Sequence, residues 1–277
     1  MIRVFPSRNK WTPDDELSFV GDPPLFRPHE MPVKISVTFT WDIDEGERLY
    51  NAWKQYYQDV QIGGPAYGDS GDGFTPGMFI KNGVTFTSRG CPFNCPWCFV
   101  PRREGKIREL EIRPGYIIQD NNLLACSRQH IKKVFALLKQ QKRAAIFSGG
   151  LDSRLLKDWH VELLKSINIH EMWFAADSQE RLSDLKKIAP KLKDFPANKK
   201  RCYVLIGYPG ESITAAEDRL REVYELGFYP FAQLYQWNEK TGYNRAWKNL
   251  QRNWSRPAIY RFVMTAVSNN IPIDSAG

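Results

Sequence analysis

The strongest constraint on the fold is an alternation of short apolar stretches with amphipathic helical patterns, which begins at Val84. Six stretches rich in β-branched and aromatic residues predict strands, and the segments between most of them have the periodicity of helices. The predicted strands are 84–88, 116–120, 144–148, 171–177, 202–207 and 228–235. This order is typical of a parallel sheet, which places its functional groups at the carboxyl ends of the strands.

The region before this alternation has a different character. Residues 1–33 are rich in proline and show little periodicity, which predicts an extended arm. Residues 33–41 predict a strand, 46–57 an amphipathic helix and 60–66 a second strand, so a small βαβ unit is expected here. The glycine- and aspartate-rich run 66–77 predicts a linker.

The composition favours a globular protein. The 277 residues are 42% hydrophobic, which allows a sizeable core. No apolar run reaches the roughly 18 residues of a membrane helix, and the start, MIRVFPSRNKW, lacks the apolar run of a signal peptide. We therefore expect a cytoplasmic protein with no membrane partner. The net charge of +8 is compatible with an anionic partner but does not require one.

Three of the five cysteines, Cys91, Cys95 and Cys98, directly follow the first predicted strand. Their spacing, C-x3-C-x2-C, is too tight for an ordinary disulfide framework and favours thiols used as ligands. Three thiolates hold a cubane iron–sulfur cluster and leave one iron open to an outside ligand. Zinc is the alternative, but the histidines that would complete its site are remote in sequence. These histidines are His29, His130, His160 and His170.

With Trp97 before the last cysteine, the motif resembles the signature of the radical S-adenosylmethionine (SAM) superfamily. The six-strand alternation is similar to that family's partial (β/α)6, TIM-like barrel, and the resemblance covers about residues 84–237. It implies an α/β fold with three parts. Residues 1–80 would form the arm and a degenerate βαβ extension, residues 81–237 the partial barrel, and residues 238–277 a basic, aromatic helical segment.

The resemblance also implies an activity and its cofactors. Cys91, Cys95 and Cys98 would bind a [4Fe-4S] cluster whose open iron chelates the methionine part of S-adenosyl-L-methionine. A reductant protein such as flavodoxin or ferredoxin would supply an electron, and SAM would be cleaved to methionine and a 5′-deoxyadenosyl radical that abstracts hydrogen from the substrate. No motif specifies that substrate.

The resemblance assigns further roles near the cysteines and at the second strand. Trp97 and Phe99 would lie against the adenine of SAM, with packing of the loop as the alternative. Asp120 and Asn121 would lie near SAM or substrate, although a turn and a helix cap use the same residue types.

Two later strands end in polar residues with similar assignments. Arg154 would bind the carboxylate of SAM in bidentate fashion, whereas an ion pair with Asp152 is the competing interpretation. Asp177 and Ser178 resemble the family's acidic and serine pair that faces the ribose or amine of SAM. Ser178 equally suits the N-cap of a helix.

The last two strands complete the assignments. The stretch LIGYPGES (205–212) is similar to the family's fifth-strand pattern, so Ile206 and Gly207 are expected to contact adenine. Glu211 also suits the first turn of a helix. Gln233, on the sixth strand, is expected to reach the substrate.

Two variations within the superfamily are disfavoured. Methylthiotransferases carry an additional three-cysteine cluster upstream, and no cysteine precedes Cys91 here. Residues 33–66 resemble the last portion of a cobalamin-binding domain, but they are too few, and the D-x-H-x-x-G signature is absent. The remaining cysteines, Cys126 and Cys202, are predicted to be small buried residues.

The C-terminal segment interleaves aromatic and basic residues, as nucleic-acid grooves do. The aromatic residues are Trp237, Tyr243, Trp247, Trp254 and Tyr260, and the basic residues are Arg245, Lys248, Arg252, Arg256 and Arg261. An amphipathic helix that covers the barrel is the favoured interpretation. The basic runs 102–108 and 199–201 keep a nucleic acid such as tRNA open as the substrate. The alternative function is a non-catalytic iron–sulfur or zinc module that binds nucleic acid.

Overall fold

The computed structural model describes residues 1–69, 73–236 and 242–268, which form two compact units. Unit 1 comprises Met1–Asn121 and Cys126–Arg143. Unit 2 comprises Asn122–Ala125 and the chain from Ala144 onward. The division therefore falls within the run of predicted barrel strands, after the second of them.

Unit 1 contains a four-stranded parallel sheet and several shorter strands. The strands are β1 (Ile2–Phe5), β2 (Ser18–Val20), β3 (Val33–Ser36), β4 (Val60–Gly63), β5 (Val84–Thr85), β6 (Ser88–Arg89), β7 (Arg108–Glu109) and β8 (Ile117–Ile118). The α-helices are α1 (Ile43–Lys54), α2 (Val100–Arg103) and α3 (Arg128–Gln140). The sheet has the order β2-β1-β3-β4. β5 pairs in parallel with β8, and β6 pairs in antiparallel fashion with β7.

The expected βαβ unit is present as β3, α1 and β4, and the residues before it contribute two short strands to the same sheet, which the sequence analysis did not predict. β1 lies between β2 and β3, and all four of its residues are buried. Strands that are buried on both faces are typical of parallel sheets. The sequence analysis did not predict β1 and β2 because both strands are too short to show a period, and prolines separate them from β3.

Arg3 joins this sheet to the segment that was predicted to be a linker. Its guanidinium donates to the carbonyl oxygens of Gly77 (3.0 Å) and Met78 (2.9 Å) and forms an ion pair with Asp15. Hydrogen bonds from a charged donor contribute about 1.5–3 kcal/mol each to stability. The end of this segment, at Gly77, is therefore fastened to the sheet.

Unit 2 is a parallel sheet with helices in the crossover connections. Its strands are β9 (Ala145–Phe147), β10 (Ile169–Ala175), β11 (Lys200–Ile206) and β12 (Tyr229–Leu234), in the order β12-β11-β10-β9. Its helices are α4 (Asp158–Lys165), α5 (Gln179–Ile188), α6 (Ile213–Glu225), α7 (Arg245–Trp254) and α8 (Pro257–Ser268). The prediction of an α/β protein with parallel sheets is confirmed. In the part of the chain that is described, no helix has the length and apolarity needed to cross a membrane.

The C-terminal helices bury part of their aromatic residues. α7 packs against β12, α6 and α8. Trp254 is 3% exposed and Tyr260 is 1% exposed, and their rings stack with centroids 5.6 Å apart. These two rings are therefore core residues, as a covering helix requires, and offer no open face for base stacking. Trp237 lies outside the described residues.

Replacement of Trp254 by alanine should lower the free energy of unfolding by about 3–5 kcal/mol, because a buried indole leaves a cavity. Trp247→Ala is the matched control on the same helix, since that ring is only half-buried and its loss should cost clearly less. Urea denaturation of both variants measures the difference. Equal losses would show that Trp254 does not have the structural role described.

Candidate cysteine site

The cysteine motif lies on the loop between β6 and α2. Cys91, Cys95 and Cys98 are partly exposed, and all five cysteines of the chain are thiols. The backbone N–H of Cys91 donates to the carbonyl oxygen of Gly105 (3.1 Å), and that of Cys98 donates to Cys95 (3.0 Å). The second bond closes a turn around the last two cysteines, and the first holds the start of the motif.

The residue before the motif, Gly90, can only be glycine without a rearrangement of the loop. Its φ is +83°, and a Cβ there would lie 2.1 Å from the carbonyl oxygen of Lys106. The N–H of Gly90 donates to Oδ1 of Asn121 at 2.9 Å. Asn121, predicted to lie near SAM or substrate, therefore also braces the cysteine loop.

Asp120 is buried and accepts three hydrogen bonds. The N–H of Thr87 donates to Oδ1 (2.6 Å), while the hydroxyls of Thr87 (2.5 Å) and Ser88 (2.7 Å) donate to Oδ2. Burial raises the pKa of this carboxyl, although the hydrogen bonds from Thr87 and Ser88 oppose the shift. The carboxylate thus joins the end of β8 to the turn between β5 and β6.

Two aromatic residues of the motif differ in exposure. Trp97 is half-buried, whereas the side chain of Phe99 is exposed. Phe99 therefore offers a ring face that a planar ligand can cover. An exposed ring of this size next to three thiols is not explained by packing of the loop.

Of the two cysteines that were predicted to be buried, Cys202 is buried, whereas Cys126 is only partly buried. Burial raises the pKa of Cys126 to about 12 and raises the pKa of Cys202 well above its ordinary value. Metal ligation requires the thiolate. Both residues are therefore poor metal ligands at neutral pH in this fold.

In unit 2, the predicted site residue Arg154 is paired with Asp152. Nε and Nη2 of Arg154 donate to the two carboxylate oxygens of Asp152, at 2.8 and 2.6 Å. Nδ2 of Asn122 donates to the same carboxylate at 2.9 Å. The bidentate face of the guanidinium is thus occupied by Asp152. This is the ion pair that the sequence analysis gave as the alternative to binding of SAM.

Asp177 and Ser178 follow the end of β10, and both accept hydrogen bonds from backbone N–H groups. Oδ1 of Asp177 accepts from the N–H of Leu205 at 3.0 Å, which ties β10 to β11. Ser178 is the N-cap of α5, and its hydroxyl accepts from the N–H of Arg181 at 3.3 Å. The helix-cap interpretation of Ser178 is confirmed.

At the end of β11, Ile206 is buried and the backbone of Gly207 is enclosed. The N–H of Gly207 donates to Oε2 of Glu211 at 2.8 Å, and its carbonyl oxygen accepts from the hydroxyl of Tyr243 at 3.0 Å. A Cβ on Gly207 would lie 2.7 Å from the Tyr243 ring. Sequence reasoning missed this contact because Tyr243 lies far along the chain. Gln233, on β12, is exposed.

Sequence reasoning also missed a cavity of about 520 Å³ within unit 1. It is lined by the carboxyl ends of β3 and β4 and by Arg89, Arg103 and Glu104, which flank the cysteine motif. Burial lowers the pKa of Arg89, and the nearby carboxylate of Glu104 opposes that shift. No local pattern signals the cavity, because its walls come from separate parts of the sequence.

The donor set of the loop is suited to a cubane cluster. Among the described residues, no group of three or more His, Cys, Asp and Glu side chains surrounds one metal-ion position. A cubane makes a different demand, because each cysteine binds a separate iron. Three partly exposed thiols on one braced loop match that demand in ligand type and number.

Comparison with known proteins finds no family model that matches this chain and no similar curated protein. The functional interpretation therefore depends on the residues of the loop and on their contacts.

Gly90→Ala should destabilise the protein more than Gly105→Ala. Both glycines have positive φ, so alanine costs roughly 1–2 kcal/mol at either position. Only at Gly90 does the added Cβ also meet backbone, since nothing lies within 4 Å of a Cβ at Gly105. Urea denaturation measures both losses, and a Gly105→Ala loss as large as that of Gly90→Ala would contradict the tight approach of the loop.

Proposed function

We propose that this chain is a radical SAM enzyme that binds one [4Fe-4S] cluster through Cys91, Cys95 and Cys98. The observation that carries the proposal is a partly exposed loop with three thiols, which follows the short antiparallel strand β6 and is braced by Asn121. In this proposal, β5 and β8 to β12 belong to a partial (β/α)6 barrel, and a flavodoxin or ferredoxin supplies the electron.

When bound, the cluster and SAM would supply the one-electron cleavage that yields a 5′-deoxyadenosyl radical for hydrogen abstraction. The residues of the chain bind and orient these groups. The three thiolates hold the cluster, and the hydrogen bond from Gly90 to Asn121 keeps the start of the loop in position. The exposed ring of Phe99 offers an apolar surface to the adenine of SAM.

Arg154 and Asp177 take indirect roles in the proposal. Asp152 occupies the bidentate face of Arg154, and Asp177 accepts a backbone hydrogen bond from β11. These contacts support them as positioning residues, which fix the strand ends that SAM would contact. Tyr243 would have to move before adenine could contact the backbone of Gly207.

Cleavage of SAM is the decisive test. After anaerobic reconstitution with iron and sulfide, the reduced protein should contain about four irons per chain and release 5′-deoxyadenosine. Cys98→Ala should abolish this release, because a ligand of the cluster is lost. Cys126→Ala is the matched control and should retain it, since Cys126 lies outside the motif.

Two outcomes would contradict the proposal. One is that the reconstituted wild-type protein releases no more 5′-deoxyadenosine than the Cys98→Ala variant does. The other is stoichiometric zinc without sulfide, which would favour the non-catalytic, zinc-binding alternative.

A basic face of α7 favours nucleic acid as the substrate class. Arg245, Lys248 and Arg252 are exposed and recur at helical spacing, so they share one side of the helix. Exposed cations in a row can neutralise successive phosphates of a polynucleotide. We therefore propose a structured RNA such as tRNA as the substrate.

Neutralising Arg245, Lys248 and Arg252 to glutamine should weaken tRNA binding and flatten its salt dependence. The slope of log affinity against log salt should become shallower by up to about 0.7 to 0.9 for each lost phosphate contact, the values for single-stranded and duplex nucleic acid. The matched control neutralises Lys186, Lys187 and Lys191, which lie elsewhere in unit 2 and are each paired with a carboxylate. Equal changes in both triple variants would contradict a specific role for α7.

A further inference from the structure

The cavity in unit 1 has the size and the location of a small-molecule site. Its volume of about 520 Å³ lies within the range of ligand pockets, which is roughly 300–1,000 Å³. Ser36 and Gly63, the last residues of β3 and β4, contribute to its lining. Parallel sheets bind ligands beyond the carboxyl ends of their strands, so the cavity lies where such a fold accepts one.

Much of the wall is apolar, and part of it is aromatic. The apolar lining residues include Ile35, Ile62, Phe74, Met78, Phe79 and Phe86. The rings of Phe74 and Phe86 meet edge to face, with their centroids 4.9 Å apart. Such a wall suits a flat, largely apolar ring system, because aromatic and thioether side chains pack well against planar faces.

One part of the wall carries charge and has unsatisfied hydrogen-bonding groups. Oε1 of Glu104 accepts from Nε of Arg103 at 3.1 Å and lies 4.0 Å from Nη1 of Arg89. Oε2 of Glu104, whose side chain is 3% exposed, has no hydrogen-bond partner within the described ranges, and neither has Nε of Arg89. Buried polar atoms are nearly always satisfied in native proteins, so a ligand or an ordered water is expected to complete the contacts of this acceptor and this donor.

We propose that this cavity binds a flat nitrogen heterocycle with a lactam edge, in which a ring N–H lies beside a carbonyl group. The N–H donates to Oε2 of Glu104, and the carbonyl accepts from the guanidinium of Arg89 or Arg103. Guanine and uracil carry such an edge. The side chain of Arg103 is 46% exposed and can rotate to admit the ligand, while Phe74 contacts the ring. The guanidinium of Arg89 lies over the buried ring of Phe86, 3.7 Å from its centroid, which holds this donor at the wall.

A free amino acid or an inorganic anion fits this wall less well. An amino acid supplies a donor and an acceptor, but most have no flat ring to cover the aromatic wall. Phosphate supplies acceptors for the arginines but makes no contact with the apolar part of the wall. The lactam heterocycle is the class that matches both parts of the lining.

The cavity is close to the cysteine loop within unit 1. Arg89 directly precedes Gly90, and Asn121, which accepts from the N–H of Gly90, is also a lining residue. If the bound heterocycle is also the substrate, that role rests on the proposed function. The binding of the heterocycle does not depend on the proposed function.

Guanosine is the probe, with titration calorimetry on the full chain as purified and after anaerobic reconstitution. Guanosine should bind, while 1-methylguanosine, which lacks the ring N–H, and adenosine, which lacks the lactam, should bind at least about tenfold more weakly. Glu104→Gln should remove the preference for guanosine over 1-methylguanosine, and thermal unfolding of this variant is measured alongside.

A second pair of variants keeps the test valid if Glu104→Gln does not fold. Arg103→Gln should weaken guanosine binding about tenfold, because it removes a charged donor at the cavity wall. Arg102→Gln is the matched control, since Arg102 is the exposed neighbour that does not line the cavity. It should leave the affinity unchanged.

The inference is overturned if guanosine does not bind at millimolar concentration or if the two analogues bind as tightly as guanosine. Equal affinities of the Arg103→Gln and Arg102→Gln variants for guanosine would also overturn it. Release of 5′-deoxyadenosine is measured separately. Guanosine binding without this release defeats the proposed function alone, and release without guanosine binding defeats this inference alone.

Discussion

The cysteine site depends on the buried carboxylate of Asp120. Its three hydrogen bonds from Thr87 and Ser88 hold the end of β8 against the turn from which the cysteine loop begins. The next residue, Asn121, accepts from Gly90 and so fixes the position from which Cys91 follows. Two adjacent residues, Asp120 and Asn121, therefore accept the hydrogen bonds that hold the start of the loop in place.

Carboxylates at the ends of strands have the same role in unit 2. Asp177 accepts from the backbone of Leu205, Glu211 from that of Gly207, and Asp152 from Arg154. The resemblance to radical SAM enzymes assigns one of these carboxylates, Asp177, to the cofactor. The contacts show that all three also satisfy backbone N–H groups where a strand turns into a loop.

The parts of the fold that were predicted correctly have local signals. α3 and α6 are long enough to show a helical period, and the three thiols lie within one short loop. β1 was missed because four residues carry no readable period. The approach of Arg89 to Glu104 and the contact between Tyr243 and Gly207 join residues that are separated by other elements. Such contacts depend on the tertiary fold, and no sequence pattern encodes them.

The bonds from Arg3 to Gly77 and Met78 have a kinetic consequence. They close a loop of 74 residues or more, and β1 also needs β3, about 30 residues away, as a neighbour. Closing long loops costs entropy before the contacts form, so proteins dominated by such contacts fold slowly. The contact of Arg3 with residues 77 and 78 should therefore form late, and until it forms the end of the glycine-rich segment is not fastened to the N-terminal sheet.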